Sequence, residues 1–162
     1  MSMRTAGGLA ERGDVPLGPA CPIDRAMGLL GNRTAMLLLR EAFYGATRFE
    51  QLVRRVGVTE AVAAQRLREL VAAGVLEKQP YREPGQRTRH EYVLTASGEA
   101  LAPVLIGLLE WGRTYLPDER SRLTLTHADC DAPVHAVLRC EAGHDVAASE
   151  VVVEGRRLRA SD

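Results

Sequence analysis

The sequence has few lysines, cysteines and aromatic residues. Lys78 is the only lysine beside 20 arginines, aromatic residues make up 4% of the chain, and the cysteines are Cys21, Cys130 and Cys140. A sparse, odd set of cysteines is not a disulfide framework and is typical of the reducing cytoplasm. The longest uninterrupted apolar run, Leu101 to Leu109, has nine residues, about half of a membrane span. We therefore expect a cytoplasmic protein that does not enter a membrane.

The chain also lacks the usual patterns of enzymes. No glycine-rich phosphate loop follows a strand, since Gly7-Gly8 lies in the N-terminal segment. Cys140 and His144 could touch on one hairpin, but no acid that would orient the histidine is evident. We expect no catalysis and no cofactor.

The formal net charge is zero, from 21 basic and 21 acidic side chains. This balance is a cancellation: residues 21–116 have 13 basic and 10 acidic groups (+3), residues 117–162 have six and nine (−3), and residues 1–20 have two of each. A strongly basic nucleic-acid binder is excluded, whereas a mildly basic module joined to an acidic segment is not.

These divisions match changes in composition. Residues 1–20 are rich in glycine and proline and have no apolar core of a signal peptide, so a flexible tail is expected. Residues 21–116 have helical periodicity, and residues 117–162 alternate as in a small β-rich appendage, with strands predicted at 122–126, 134–140 and 146–153 and a charged tail at 156–162.

The central segment begins with helices. The first is predicted from Cys21-Pro22 to Gly31-Asn32, and the second from Arg33 to Tyr44. The buried stripe of the second helix is predicted to consist of Met36, Leu37, Leu39 and Phe43.

Two short amphipathic helices follow, with Gly57 between them. The first contains Phe49, Leu52, Val53 and Val56; the second runs from Thr59, a plausible N-cap, to residue 73. The second helix has an apolar face of Val62, Ala63, Leu67, Leu70 and Val71 opposite a face of Ala61, Ala64, Gln65, Arg68 and Ala72. Two short helices joined by a glycine-containing turn are the helix-turn-helix pattern.

A hairpin is predicted after this pattern. Its strands are Val75–Tyr81 and Arg89–Thr95, its turn is Pro84-Gly85-Gln86, and Arg82, Arg87 and Arg89 lie near the tip. A basic hairpin in this place indicates a wing, and we expect it to contact DNA; the alternative is a solvated hairpin.

A long apolar helix is predicted from Thr95 to Leu116, and Pro103 within it is expected to introduce a kink. Its apolar stripe consists of Leu101, Val104, Leu105, Leu108, Leu109 and Gly112, with Trp111 beside it. This surface exceeds what a small core covers, so we expect it to pack on a second copy, in a dimer. The alternative is that the first helix covers it.

The appendage contains two histidine–cysteine pairs, His127 with Cys130 and Cys140 with His144. Four such ligands could hold zinc, although neither pair is a CxxC knuckle, so a metal-free hairpin is the expectation. Cys21 stands at the start of the first helix, where the helix dipole favours a reactive thiolate; the alternative is a small buried residue.

The order of motifs resembles the HxlR-type winged-helix transcriptional regulators over residues 21–116. The motifs are Cys21-Pro22, Leu37-Leu38-Leu39-Arg40-Glu41, Arg48-Phe49-Glu50-Gln51-Leu52, Gln65-Arg66-Leu67-Arg68-Glu69-Leu70, Gly74-Val75-Leu76-Glu77 and Glu91-Tyr92-Val93-Leu94-Thr95. The resemblance implies a dimeric repressor or activator with a recognition helix in the major groove, a wing and dimerising terminal helices. It also implies that the N-terminal cysteine, here Cys21, is a redox or electrophile sensor in some members.

Transferred by position, the resemblance implies a set of DNA-contacting residues: Thr59, Glu60, Ala61, Ala64, Gln65 and Arg68 on the recognition helix, and Arg87 and Arg89 on the wing. The chain departs from the family at Gly31-Asn32-Arg33, where Gly-Lys-Trp is usual, and at Ala63 and Ala64, where Leu and Ser are common. The appendage is similar to an extension in one branch, which often has a second cysteine near residue 142 that is absent here.

The sequence thus predicts an α+β winged helix-turn-helix protein with flanking dimerisation helices, which binds double-stranded DNA as a homodimer on a pseudo-palindromic operator and regulates transcription. One alternative is a winged helix that binds a protein partner, which masking of the arginines by the neighbouring Glu60, Glu69 and Glu83 would favour. Another is a regulator that senses a small molecule, an electrophile or a metal through Cys21 or the appendage.

Overall fold

The computed structural model describes residues 2–82, 84, 85, 87–116, 118 and 123–155. Glu83, Gln86 of the predicted turn, Arg122 of the first predicted appendage strand and the tail at 156–162 lie outside the described residues. The chain divides into two compact units, residues 22–116 and residues 1–21 with 117–162. The described elements are, in chain order, β1 (Arg4–Gly7), α1 (Pro22–Leu30), α2 (Arg33–Phe43), α3 (Phe49–Val56), α4 (Glu60–Ala72), β2 (Leu76–Tyr81), β3 (Arg89–Leu94), α5 (Ala96–Glu99), α6 (Ala102–Tyr115) and β4 (Val152–Gly155), with 3-10 turns at Gly18–Ala20 and Ala148–Glu150.

Side-chain caps and one glycine set the ends of α2, α3 and α4. The Asn32 side chain accepts hydrogen bonds from the backbone N–H groups of Thr34 and Ala35 (2.9 and 3.4 Å), which begins α2. Gly57 ends α3 in the left-handed conformation (φ 72°), and the Thr59 hydroxyl accepts from Val62 N–H at 3.4 Å to begin α4. The predicted pair of short helices is confirmed.

The core of residues 22–116 forms where α2, α3, α4 and β2 meet. Its largest fully buried side chains are Leu38, Leu39, Leu52, Leu67, Leu70 and Leu76. The predicted stripe of α2 was partly wrong, because Met36, Leu37 and Phe43 are only half-buried while Leu38 is fully buried. The reason is that α2 packs on both α3 and α4, so the centre of its buried side lies at Leu38 and Leu39.

The buried side of α4 is narrower than predicted. Ala63, Leu67 and Leu70 are buried, whereas Val62 is exposed and Val71 half-buried. The buried residues follow the i, i+4, i+7 row that faces the core, and Val62 lies outside that row.

The wing is an antiparallel pair of strands. Strand β2 pairs with β3 from Leu76↔Leu94 to Tyr81↔Arg89. A short third segment, which sequence patterns did not reveal, joins the sheet through the bridge between Arg48 and Glu91 and through a 2.7 Å hydrogen bond from Tyr92 N–H to the Thr47 carbonyl. This segment connects the start of α3 to the wing.

The predicted long helix is two helices, α5 and α6. Thr95 begins α5: its hydroxyl oxygen accepts from Gly98 N–H at 3.1 Å and lies 2.6 Å from the Gly74 carbonyl, to which it donates. Ala100 and Leu101 form a turn between the two helices, in which Leu101 N–H donates to the Gly98 carbonyl at 3.0 Å. One continuous helix is disfavoured because Pro103 has no N–H and its ring would clash with the carbonyl of Glu99.

The unit formed by the two chain ends contains a parallel strand pair. Strand β1 pairs with β4 from Arg4↔Val152 to Gly7↔Gly155. The composition of residues 1–20 indicated a flexible tail, but the structure places β1 in a strand pair. Backbone pairing needs only free N–H and C=O groups on a strand edge, so β1 can join β4 without an apolar pattern of its own.

Residues 123–155 contain less strand than predicted. Two tight turns are closed by isolated bridges, Thr126↔Pro133 and Arg139↔Asp145, and β4 is the one extended strand within this range. The alternating residues between 134 and 138 do not form a ladder in the structure, in contrast to the prediction of a strand.

Candidate nucleic-acid interface

The exposed side of α4 has the side chains that the sequence placed there. Gln65 and Arg68 are exposed, Ala61 is exposed and Ala64 is half-buried, while the opposite side of the helix is in the core. Thr59 and Glu60 are exposed at the first turn. This face combines small residues with one amide and one guanidinium, so a partner can approach the helix closely at the alanines and meet hydrogen-bonding groups beside them.

The polar side chains of this face are hydrogen-bonded to one another. Arg68 Nη2 donates to Gln65 Oε1 (2.6 Å), and Gln65 Nε2 donates to Glu69 Oε1 (2.8 Å). Arg66 Nη1 donates to Glu69 Oε2 at 2.6 Å. The hydrogen bond from Gln65 and then that from Arg66 lower the pKa of Glu69, so its carboxylate is ionised at neutral pH. The sequence identified Glu69 as an acidic neighbour of the arginines, and the structure pairs it with Arg66. The contacts of Gln65 were missed, although the i, i+3 and i, i+4 spacings of these residues were a usable signal.

The wing is basic on its exposed surface. Arg87 is exposed between the tip and β3, and Arg89 begins β3. Arg89 forms an ion pair with Glu50 of α3 (3.6 Å), with both side chains about half exposed at 54% and 55%. Since this pair is solvated, its attraction is weak and Arg89 can exchange Glu50 for another anion at small cost.

The strands of the wing contact α3 and α4. The Arg48 guanidinium lies 4.9 Å from the centre of the Tyr81 ring, a cation–π contact. Burial raises the pKa of Tyr92, and the positive charge of Arg68 partly opposes this rise. The charge of Arg68 on α4 therefore reaches the hydroxyl of Tyr92 on β3.

A shallow cleft of about 370 Å³ lies between the wing and the start of α3. Its lining includes Lys78, Arg89 and His90 together with Glu50 and Tyr81. Phe49 and Tyr92 complete the lining, so the cleft combines two cationic side chains with one acidic and three aromatic ones, and it adjoins the wing.

A second surface of residues 22–116 is apolar. Val104, Leu108, Trp111 and Tyr115 of α6 are 48–67% exposed and lie within a narrow arc of the helix, since they are spaced by four, three and four residues. We call these four residues the α6 stripe. In α1, Ile23 and Met27 are 72% and 55% exposed at i, i+4 spacing. Within these two fully described helices no residue is buried.

The remaining predicted sites involve cysteines. Cys21 is half-buried, has a free thiol and directly precedes the first residue of α1. His127 Nδ1 lies 3.2 Å from Cys130 Sγ, and Cys140 Sγ lies 3.6 Å from His144 Nδ1. In the part of the chain that the structure describes, no three His, Cys, Asp or Glu side chains are grouped so that they could hold one metal ion. The structure thus brings the members of each pair together but not the two pairs.

Three comparisons with known proteins agree with this architecture. Residues 29–120 match the HxlR-like helix-turn-helix family. An HTH-type transcriptional regulator of Mycobacterium bovis and one of Mycobacterium tuberculosis are each 37% identical to this chain over 134 residues, which are 82% of this chain and 84% of each relative.

Solved structures of regulators are also similar. The crystal structure of PA1607, classed as a transcription factor, is 32% identical with a TM-score of 0.72, covering 90% of this chain and 96% of that one. The reduced form of the regulator YodB from Bacillus subtilis is 28% identical with a TM-score of 0.51, covering 59% of this chain and 93% of that one.

The match to the family covers more than half of the chain and includes the helix pair, the wing and α6. Among the described helices, none is long and apolar enough to cross a membrane. The fold is a winged helix, as the sequence predicted, and the chain belongs to the HxlR-like helix-turn-helix family of transcriptional regulators.

Proposed function

We propose that this regulator acts as a cytoplasmic homodimer that binds double-stranded DNA, with α4 in the major groove and the wing on the adjacent backbone or minor groove. The single observation that carries the proposal is the division of α4: Ala63, Leu67 and Leu70 are buried, while Gln65 and Arg68 project into solvent. A helix that presents an amide and a guanidinium on one open side suits the donor and acceptor pattern of the major groove.

Each residue of the proposed interface has a chemical role. Gln65 recognises a base edge, with adenine the best match, and Arg68 binds guanine or a phosphate. Thr59 and Glu60 face the DNA at the start of α4, and Ala61 and Ala64 permit close approach of the helix. Arg87 and Arg89 neutralise phosphates or enter the minor groove.

The α6 stripe supports the homodimer. Four large apolar side chains about half exposed on one face are more than an isolated small domain usually presents to water. Two copies related by a two-fold axis would cover each other's stripe, and the two recognition helices would then contact half-sites about one helical turn apart on a pseudo-palindrome.

The proposal is tested by footprinting and by fluorescence anisotropy on DNA flanking the protein's own gene. We expect protection of a pseudo-palindrome and an affinity that falls steeply with salt. Arg68→Ala and Arg89→Ala should each reduce the slope of log K against log salt by about one for each phosphate that the variant no longer neutralises. Arg113→Ala, which removes an equal charge from α6, is the matched control. Binding that is indifferent to salt and to both interface variants would contradict the proposal.

An electrophile is the proposed effector, with Cys21 as its target. Cys21 is half-buried and directly precedes α1 in the chain, so alkylation or oxidation of its thiol would fall at the start of that helix. The test is footprinting with and without an electrophile, comparing the wild type with Cys21→Ser. Loss of wild-type binding that the variant resists supports the effector role, and equal behaviour shows Cys21 to be structural.

A further inference from the structure

The hydrogen-bonded network on α4 has a consequence for how the regulator distinguishes DNA sequences. Gln65 lies between Arg68, which donates to its Oε1, and Glu69, which accepts from its Nε2. We propose that Glu69 is a positioning residue for sequence recognition: its carboxylate holds the Gln65 amide in one orientation before DNA arrives. This inference rests on the proposed function, because it concerns how α4 recognises a base.

The chemistry of the two neighbours permits only one orientation of the amide. A carboxylate can only accept hydrogen bonds, so the NH2 end of Gln65 must face Glu69. A guanidinium can only donate, so the carbonyl end must face Arg68. A 180° flip of the amide would place NH2 against guanidinium and oxygen against carboxylate, and both contacts would become repulsive.

The amide retains the groups that base recognition requires. A glutamine amide has two N–H donors and two carbonyl lone pairs, and the network uses one of each. One donor and one acceptor remain, which is the combination that adenine requires at N7 and N6 in the major groove. Gln65 can therefore bind adenine while its orientation is still held.

Arg66 fixes the carboxylate in turn. Its Nη1 donates to Glu69 Oε2 at 2.6 Å, while Oε1 receives Gln65. The side chains of Arg66 and Glu69 are 34% and 36% exposed, so they are more sheltered than the exposed Gln65. The less exposed pair of Arg66 and Glu69 therefore supports the more exposed amide of Gln65, as expected if Glu69 acts through Gln65.

Glu69 also has an effect on affinity that is the same for every DNA sequence, because its negative charge near the DNA surface repels phosphates. Loss of that charge strengthens binding to every sequence alike. The two effects can be separated because the charge changes affinity whereas orientation changes discrimination. Discrimination is here the ratio of the Kd for a site with one base pair changed to the Kd for the best site.

The experiment measures discrimination at each base pair by competition anisotropy, with duplexes that differ at single positions. The proteins compared are the wild type, Gln65→Ala, Glu69→Gln, Glu69→Ala and Gln65→Ala/Glu69→Ala. Gln65→Ala identifies the base pair that Gln65 contacts. A bidentate contact is worth about 5- to 150-fold in discrimination, and we expect Glu69→Ala to remove at least about fivefold at that same pair. Glu69→Gln offers one acceptor oxygen in place of two, so it should lose less.

In the Gln65→Ala background, Glu69→Ala should have no further effect on discrimination. Glu77→Gln, which removes an equal charge from the exposed surface of β2, is the control for charge, and thermal unfolding of each variant shows that the fold is retained. Unchanged discrimination in Glu69→Ala, or a uniform change at all base pairs, would overturn the inference, as would a Gln65→Ala variant with unaltered base preference. Failure of the wild type to bind DNA would instead refute the proposed function.

Discussion

The substitution Trp111→Ala in the α6 stripe is the most direct test of the homodimer. Trp111 is 54% exposed in one chain, and its ring centre lies 5.8 Å from that of Tyr115. Because it is absent from the core, its loss should leave the fold of residues 22–116 intact. Its effect should therefore fall on association and not on unfolding of the single chain.

The size of the effect follows from the exposed area. An aromatic side chain buries about 150–250 Å² when fully covered, so about 100 Å² of Trp111 remains available to a partner. At about 25 cal/mol per Å² this area is worth about 2.5 kcal/mol per copy. The two-fold axis doubles the loss to about 5 kcal/mol, which at about 1.4 kcal/mol per factor of ten gives an upper limit of about three and a half orders of magnitude in the dimer Kd.

Sedimentation equilibrium over a range of concentrations measures this change. Arg113→Ala is the matched control, since Arg113 lies about half a turn from the stripe on the same helix and is exposed. Equal dimer Kd values for the two variants, with unchanged circular dichroism, would refute the reasoning and would assign the stripe to another partner. A Trp111→Ala variant that is monomeric and folded should also bind a single half-site weakly, because it no longer benefits from two linked half-sites.

Three further predictions concern stability. Gly98→Ala places a Cβ against the Val75 carbonyl oxygen and 3.0 Å from Leu94, so we expect about 1–3 kcal/mol of destabilisation in urea unfolding, with the open Gly112→Ala as the comparison that should not show it. Glu41→Ala removes a buried carboxylate that bonds Arg40 (2.6 Å) and lies 3.8 Å from Arg55 of α3; we expect a loss of about 1–3 kcal/mol, and a variant as stable as the wild type would show that solvent replaces both contacts. Hydrogen bonds lower the pKa values of Glu69 and Asp145 in the folded state. These carboxylates therefore stabilise the fold above their unfolded pKa, and that contribution is lost as pH falls through the folded pKa. Asp145→Asn should thus reduce the acid dependence of the free energy of unfolding, and an unaltered dependence on pH would contradict this.

The elements that the sequence predicted well are those with local signals. The Asn32 and Thr59 caps and the left-handed Gly57 define helix ends through interactions between residues close in sequence. The β2–β3 hairpin follows from alternation on both sides of a Pro-Gly turn. These signals do not depend on the rest of the chain, which is why the helix-turn-helix and wing could be predicted.

The errors arose where distant segments decide the structure. Strand β1 exists because β4, near the other end of the chain, offers a free edge, and no pattern within residues 1–20 shows this. The buried side of α2 is set by two packing partners, so its periodicity alone gave Met36 and Leu37 in place of Leu38. In the candidate interface, the exposed face of α4 could be predicted from periodicity. The ion pair between Glu50 and Arg89 could not, because it depends on how close the fold brings α3 to β3.

The low net charge of the chain, in which basic and acidic side chains nearly balance, affects how such a regulator finds its DNA site. Residues 21–116 have a net charge of only +3, and at the interface Arg89 is paired with Glu50 and Arg66 with Glu69. Weak net attraction to phosphate means modest non-specific affinity, so a larger share of the binding energy must come from contacts that depend on sequence and from the coupling of two half-sites. Under the proposals made above, a pre-oriented Gln65 would sharpen each half-site contact and the α6 stripe would join two half-sites, so these two features would supply that share. Acidic partners of the arginines are thus compatible with DNA binding: they lower affinity for all DNA, and the operator contacts then contribute a greater fraction of the total.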